Sequence, residues 1–396
     1  MTRLFLRHFS LYVLIGPPSV LFGQTTATGN DCLAAVQEVR DNSYDSYGKS
    51  IAKLELAVQQ LQRFLNRGCH TPDSQTVLGD GLSELALSKQ EQFRSTSKAS
   101  ERAAVDDLWR SASAAYKIQT ELHPEQSGSW YQYGASLDHS KDPSYSQQQE
   151  FAFRRALEID SNNLLARVSL GKLLLKKGTS DGIAQLETAF IRSARAEDVA
   201  MAGNALVEGY QTAGRNKDGE KFRTTVQRAF ELTSQLESAI GVASRNCPGC
   251  TGGSRAQLQA ALKDTQRLVE NGAHGNDAAL YALGAGYLDL ATGFGASDWI
   301  SGSAEEHRLL EVSLKFFVHL LQDQPTALAA RFRYALVLIG LGQREAGMVQ
   351  IGIVVRTSKT SDNISNLFAE LKPNVAKLAG LRDNIEEIAR QVQTMQ

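Results

Sequence analysis

Residues 129–138 read SWYQYGASLD, and residues 164–176 read LLARVSLGKLLLK. Gly134 and Gly171 occupy matching places in the two runs and lie 37 residues apart. A second apolar pattern follows each run, such as the one around Phe153, and its three- and four-residue spacing indicates a helix. Two helical hairpins in tandem predict a repeat architecture. In such an architecture neighbouring units bury one another's apolar faces and present a surface for binding.

The composition is that of a folded helical chain with almost no net charge. Its 396 residues are enough for two or three ordinary domains or for one long solenoid. Hydrophobic residues make up 42% and charged residues 21%, so the chain can bury a core. The formal net charge of −1 gives no basic field that would attract nucleic acid or an anionic membrane. We therefore expect no nucleic-acid partner.

The N-terminus differs from the rest of the chain. Positively charged residues precede the apolar run Phe9–Ile15, and a second short apolar patch is followed by small and polar residues. This order predicts a secretory signal peptide over residues 1–23, cut near Gly23 or Ala27. The alternative is an uncleaved anchor or a mobile leader. We expect an exported protein, periplasmic or secreted, with membrane attachment only through an uncleaved leader.

Four cysteines in an exported chain predict two disulfide bonds. Cys32 opens the first predicted helix, and Cys69 follows the second, Ile51–Asn66. In an antiparallel hairpin those two helix ends lie beside each other. Cys247 and Cys250 share a loop that contains Pro and Gly. The sequence therefore predicts the local pairs Cys32–Cys69 and Cys247–Cys250.

The Cys247–Cys250 segment is open to three interpretations. A CxxC pair serves as a redox couple, as half of a zinc site or as a loop disulfide. Haem attachment requires His after the second Cys, where this chain has Thr251, and the nearest candidate zinc ligand is His274. A structural disulfide fits the sequence best, and thiol–disulfide activity stays open.

Helical periodicity continues through the rest of the chain, and no alternating strand pattern is longer than a few residues. We therefore predict an all-α fold. The division that we predict is helical repeats over residues 31–245, a CPGC loop at 246–254, and repeats with capping helices over 255–396. An aromatic-containing insertion at 291–304 is expected to tuck onto the repeats or to meet a partner.

At these positions the chain resembles the tetratricopeptide repeat (TPR) family, a helix–turn–helix unit of about 34 residues with the pattern W-x2-L-G-x2-Y, A-x3-F and P. Trp130 and Gly134 match the opening of the pattern, and Gly284 with Tyr287 match it in a later copy. Other copies are degenerate or carry insertions between their helices. The resemblance implies a right-handed α-solenoid of stacked hairpins with a concave groove. The short residues Gly134, Gly171, Gly284 and Ala335 are expected to let the two helices of a hairpin approach closely.

In this family the first helix of each hairpin lines the groove. The resemblance therefore implies a binding surface formed by exposed residues of those helices: Tyr131, Gln132, Asp138, His139, Ser169, Lys172, Lys176, Tyr281, Asp289 and Arg333. Their mixture of aromatic, charged and amide side chains suits recognition of a peptide segment. We expect a protein-binding scaffold of the cell envelope, with a protein or peptide partner and no cofactor.

Two other classes of function stay open. Catalysis would use either the Cys247/Cys250 pair or an unrecognised carboxylate of an all-α hydrolase. A purely structural spacer would assemble through its terminal helices. The sequence has no HExxH or GxSxG motif, and the glycines near Gly284 follow a helix rather than a strand. We therefore assign no catalytic residue, cofactor-binding residue or metal ligand.

Overall fold

The computed structural model describes residues 29–43, 51–68, 71–93, 99–139, 145–247, 250, 252–293, 303–357 and 390. Within these ranges the chain forms fifteen α-helices and no strands. The helices are α1 (Gly29–Ser43), α2 (Ile51–Asn66), α3 (Ser74–Gln92), α4 (Ala99–Leu122), α5 (Ser127–Asp138), α6 (Tyr145–Ile159), α7 (Leu164–Lys176), α8 (Asp181–Arg192), α9 (Ala196–Thr212), α10 (Asn216–Arg245), α11 (Arg255–Glu270), α12 (Asn276–Thr292), α13 (Ala304–Asp323), α14 (Leu328–Gly340) and α15 (Arg344–Thr357).

Local sequence sets the ends of several helices. Asn163 precedes α7, and its side-chain oxygen accepts a hydrogen bond from the backbone N–H of Ala166 at 3.0 Å. This cap satisfies a donor that the first turn leaves without a helical partner. Gly178 after α7 and Gly342 after α14 have φ of 77° and 80°. Glycine adopts this left-handed conformation without a Cβ clash, so both helices end in the same way.

The residues up to Ala152 form one compact unit. In this unit α1 packs on α2, α3 on α4 and α4 on α5, and the first helices α1 and α3 also contact each other. One apolar core runs through these helices and includes Val39, Leu61, Leu85 and Tyr116. Each fully buried leucine contributes roughly 1.5–3 kcal/mol to folding, so stacking of the hairpins is the main source of stability.

The residues from Phe153 onward form a second compact unit. Its hairpins include α7/α8, α9/α10, α12/α13 and α14/α15. The second helix of a hairpin contacts the first helix of the next one, as α8 does with α9 and α13 with α14. First helices also contact one another, α7 with α9 and α12 with α14. This is the pairing expected of stacked helical repeats.

Helix α10, 30 residues long, belongs to two hairpins. Val226 and Ala229 in its first half pack into the same core as α8 and α9. Leu236 and Ala243 in its second half pack into the cores formed with α11 and α12. Helix α10 also contacts α12, as α12 contacts α14. The first half therefore serves as a second helix of one hairpin and the second half as the first helix of the next. Residues 246–254 lie in the sequence between the end of α10 and the start of α11.

The prediction of an all-α fold built from stacked hairpins is confirmed in the described ranges. The domain division at 246–254 stays a prediction. The predicted signal peptide at 1–23, Cys69 and most of the predicted 291–304 insertion lie outside the described residues. The predicted terminal helices also lie outside them, except for Arg390. None of the helices in the described ranges is long and apolar enough to cross a membrane.

Candidate functional site

Small residues on the first helices let the two helices of a hairpin approach closely. A Cβ on Gly171 would lie 2.8 Å from Cγ of Leu186, and a Cβ on Gly284 would lie 2.9 Å from the Phe317 ring. Both distances are shorter than real Cβ contacts, so only glycine fits without a shift of the neighbour. Leu186 and Phe317 are fully buried. The predicted role of Gly171 and Gly284 in close helix approach is confirmed.

A hydrogen-bond donor side chain recurs in three hairpins. In each it lies four residues before the small residue of the first helix, which is Gly134, Gly171 or Ala335. In each case it donates to the backbone carbonyl six residues earlier: Trp130 Nε1 to Pro124 O at 3.0 Å, Arg167 Nη2 to Ser161 O at 2.6 Å, and Arg331 Nη2 to Pro325 O at 2.6 Å. The two arginines also bond a glutamine of the second helix, Gln185 or Gln350. These residues tie each hairpin to the preceding turn. The repeat pattern does not identify these arginines because it has tryptophan at their position, although their spacing to Gly171 and Ala335 is the same.

The predicted groove residue Gln132 contacts a polar centre on Asp80 of α3, and the predicted residue Tyr131 lies close enough to Tyr116 to influence it electrostatically. Gln132 Nε2 donates to Asp80 Oδ1 at 3.1 Å, and the hydroxyl of Tyr116 donates to the same oxygen at 2.7 Å. Burial raises the pKa of Asp80, against the opposing effects of the Tyr116 hydrogen bond and the Arg40 charge. Burial also raises the pKa of Tyr131. The structure therefore places a desolvated carboxylate on the predicted surface.

Two glycines explain why Asp80 is desolvated. A Cβ on Gly79 would lie 2.5 Å from the Tyr116 ring, and a Cβ on Gly81 would lie 2.8 Å from Val39 and Val58. Because these two glycines have no side chain, α4 packs closely against α3 at Gly79, and α1 and α2 pack closely against it at Gly81. A charged residue between two glycines inside a helix was the sequence signal that could have identified this centre.

The other two predicted groove residues of the first unit face neighbouring helices instead. Asp138 Oδ1 accepts a hydrogen bond from Gln149 Nε2 of α6 at 3.4 Å. The ring of His139 stacks on Trp109 of α4, with centroids 3.7 Å apart and planes 6° apart. These side chains contact second helices, and their assignment to the groove stays a prediction.

In the second unit, α7 presents Ser169, Lys172 and Lys176. Lys172 Nζ pairs with Glu208 Oε2 of α9 at 3.3 Å, across adjacent first helices. Side-chain exposures of 49% and 66% make this a solvated ion pair, worth about 0–1 kcal/mol. Ser169 is half-buried and Lys176 is exposed. This part of the surface is charged and open to solvent.

Helices α12 and α14 bring Tyr281 and Arg333 together. Arg333 Nε donates to the Tyr281 hydroxyl at 3.0 Å, and its guanidinium carbon lies 5.6 Å from the Tyr281 ring centroid. The third predicted residue, Asp289, is half-buried further along α12. Arg333 Nη1 is buried and has no hydrogen-bond partner within the described part of the chain. A charged donor in that state needs an acceptor, since desolvation without one is unfavourable.

Cys247 and Cys250 are joined by a disulfide, with Cα atoms 5.2 Å apart. Nearby, Asn246 Oδ1 accepts from the Ser254 N–H at 3.3 Å and helps to close the turn between α10 and α11. Cys32 is buried on α1. The part of the chain that the structure describes contains no group of acidic, His or Cys residues that could hold a metal ion. Thiol–disulfide activity stays a hypothesis, which titration of reducible thiols would test.

No protein-family description and no curated protein sequence matches the chain. Among solved structures, yeast Tom70 is similar with a TM-score of 0.37 and 13% identity, covering 94% of this chain and 71% of that chain. A monomeric IFIT1 mutant with Gppp-AAAA gives a TM-score of 0.28 and 12% identity, covering 92% and 83%. The human IFIT1 dimer with m7Gppp-AAAA gives 0.25 and 11%, covering 94% and 95%. Similarity at these TM-scores assigns neither a family nor a ligand to the chain.

Proposed function

We propose that this chain is a non-catalytic, TPR-like scaffold that docks a protein or peptide segment along its first helices. The observation that carries the proposal is the guanidinium of half-buried Arg333, whose Nη1 has no hydrogen-bond partner among the described residues. A carboxylate or backbone carbonyl of a bound segment would supply the missing acceptor and form a charge-assisted hydrogen bond.

The surroundings of Arg333 support this role. The Tyr281 hydroxyl and ring hold the guanidinium from one side, so little side-chain entropy is lost when a partner binds the other. Arginine and tyrosine are also the residue types that most often dominate binding energy at protein interfaces. Helices α12 and α14 contact each other, so the pair lies on a continuous surface of two first helices.

A peptide selection tests the docking proposal. The full chain without residues 1–23 is used to select binders from a random displayed peptide library. We expect selected peptides to bind at least tenfold more weakly to Arg333→Met than to the wild type, because the variant keeps the apolar stem and loses the donors. Lys315→Met, an exposed lysine on α13, is the matched control and should bind as the wild type does. A selection without binders, or equal binding by both variants, contradicts the proposal.

We further propose that the scaffold works outside the cytoplasm, periplasmic or secreted, with residues 1–23 as its signal peptide. The order of positive, apolar and small residues supports this. Residues 1–30 fused to alkaline phosphatase, which is active only after export, should give active enzyme in a bacterial host. N-terminal sequencing should find cleavage near Gly23 or Ala27. An inactive fusion that stays in the cytoplasm would refute export.

A further inference from the structure

A cavity of about 180 Å³ opens between α1 and α3 and is lined by Arg40, Ser43, Asp73, Thr76, Val77 and Asp80. Drug-sized ligands occupy sites of about 300–1,000 Å³, whereas one water occupies about 30 Å³. The cavity is therefore of the size that fits the end of one long side chain. Both helices that line it are first helices, which lie on the surface proposed for docking.

The charge of the cavity is negative. Arg40 forms an ion pair with Asp73. Thr71 holds the other oxygen of that carboxylate, donating from Oγ1 to Asp73 Oδ1 at 3.0 Å. Arg40 is thus engaged by Asp73, and the charge of Asp80 is compensated only from a distance. One positive charge placed in the cavity would neutralise the net negative charge of Arg40, Asp73 and Asp80.

The walls of the cavity have oxygen atoms that can still accept hydrogen bonds. Both hydrogen bonds to Asp80 fall on Oδ1, and Oδ2 receives none from the described residues. The Thr76 hydroxyl, which lines the cavity, also makes no hydrogen bond to another described residue. Ser43 donates its proton to Val39 O at 2.7 Å and keeps its own oxygen as an acceptor. An ammonium group has three N–H donors, and the walls offer three oxygens.

We propose that this cavity binds the ammonium end of a lysine side chain from the docked partner. The apolar surface of Val77 would contact the methylene stem of the lysine, while Asp80, Thr76 and Ser43 would accept from its ammonium group. The inference rests on the proposed function in taking the first helices as the docking surface. It adds the chemical class of one partner residue, and it gives the desolvated carboxylate of Asp80 a role in binding that residue.

A direct titration tests the cavity. Full-length protein with ¹³C-labelled aspartate carboxyls is titrated with N-acetyl-lysine methylamide, its norleucine counterpart and spermidine. We expect a saturable shift of the Asp80 signal with the lysine probe and none with norleucine. Affinity for the lysine probe, followed by backbone amide shifts, should fall at least tenfold in Asp80→Asn and about threefold in Thr76→Ala. Asp107→Asn, exposed on α4 and paired with Arg110, should leave the affinity unchanged.

Three results would overturn the assignment. These are no saturable shift with the lysine probe, equal affinity in wild type and Asp80→Asn, or binding of spermidine without binding of the lysine probe. Asn keeps the carbonyl oxygen that Tyr116 and Gln132 bond, and an unchanged helical circular dichroism spectrum verifies that the variant folds. The probe is a single residue, so it reports on the cavity alone. A chain that binds the probe but selects no displayed peptide would refute docking and leave the cavity assignment intact.

Discussion

Hairpins α7/α8 and α14/α15 share one buried frame and differ on their exposed faces. Arg167 and Arg331 make the same bonds to the preceding turn and to the second helix. Gly178 and Gly342 end the two first helices in the same conformation. The frame holds the hairpin together, so it repeats wherever a hairpin must stack.

The exposed first-helix faces of the two hairpins are unlike each other. Lys172 on α7 is paired with Glu208 in solvent. Arg333 on α14 is held against Tyr281, and one of its nitrogens is buried with no partner among the residues that the structure describes. Stacking does not constrain these positions, and they are therefore free to carry specificity. The contrast separates residues that build the repeat from residues that recognise a partner.

The largest expected effect comes from crowding the shared frame. A Cβ on Gly182 would lie 2.6 Å from the backbone oxygen of Gly171, and a Cβ on Gly347 would lie 2.8 Å from that of Ala335. Backbone cannot rotate away as a side chain does. We expect Gly182→Ala to lower the free energy of unfolding by about 2–3 kcal/mol and Gly347→Ala by somewhat less, measured by urea denaturation.

Gly128→Ala is the control for these glycine substitutions. Gly128 lies in the first turn of α5, and a Cβ there would meet no atom within 4 Å. Alanine favours the helix over glycine by about 0.5–1 kcal/mol, so this variant should be unchanged or slightly more stable. Equal stability of all three variants would show that the close helix approach is not part of the frame.

Removal of the recurring arginine should have the next largest effect. Arg331→Ala removes hydrogen bonds to Pro325 O and Gln350, and we expect a loss of about 1–2 kcal/mol in urea denaturation. Arg167→Ala should cost less, because Arg192 also donates to Ser161 O, at 3.1 Å. A larger loss at Arg167 than at Arg331 would break the equivalence of the two hairpins.

The stability of the region around hairpin α7/α8 should depend on pH. The turn after α8 receives His274, whose ring Nδ1 lies 3.2 Å from Ser193 O and whose backbone N–H donates to Thr233 Oγ1 at 2.9 Å. Burial lowers the pKa of His274, although hydrogen bonds to backbone oppose the shift. The unfolded chain therefore binds the proton more readily. The contribution to stability is complete above the unfolded pKa of 6.5 and is lost as pH falls through and below it.

Thermal unfolding across that pH range checks the assignment to His274. His274→Asn keeps an N–H for Ser193 O but does not titrate, so its unfolding midpoint should fall less steeply with acidity than that of the wild type. His307→Asn, on the exposed side of α13, should keep the wild-type slope. An equal slope in His274→Asn and the wild type would assign the acid sensitivity to other groups.

The smallest stability effects should come from the exposed faces. Lys172→Met removes a solvated ion pair and should change the free energy of unfolding by less than about 0.5 kcal/mol. Arg333→Met removes an unsatisfied buried donor together with one hydrogen bond, and these changes oppose each other, so we again expect a small net effect. Calorimetric midpoints measure both. A large loss of stability in Arg333→Met would make Arg333 a structural residue and would remove the support for docking at this place.

Much of the frame could be predicted from the sequence, because helical periodicity and glycine placement are local signals. The helix predicted over Ile51–Asn66 has the same bounds in the structure. Gly171 and Gly284 lie at the predicted close contacts between helices. The candidate site could be predicted only in part. Tyr281 and Arg333 are both predicted groove residues, and they lie together in the structure. Asp80 could not be predicted from its own helix, because its hydrogen-bond partners come from α4 and α5.

The sequence by itself determined an all-α chain of hairpins, since the three- and four-residue spacing of apolar side chains specifies helices without reference to the rest of the fold. Only the tertiary structure decided that α10 serves two hairpins and that Asp80 is desolvated between Gly79 and Gly81. It also decided that one nitrogen of Arg333 is buried without a partner in the described ranges. These features depend on how closely separate helices stack, and stacking distances are set by side chains that lie far apart in the chain.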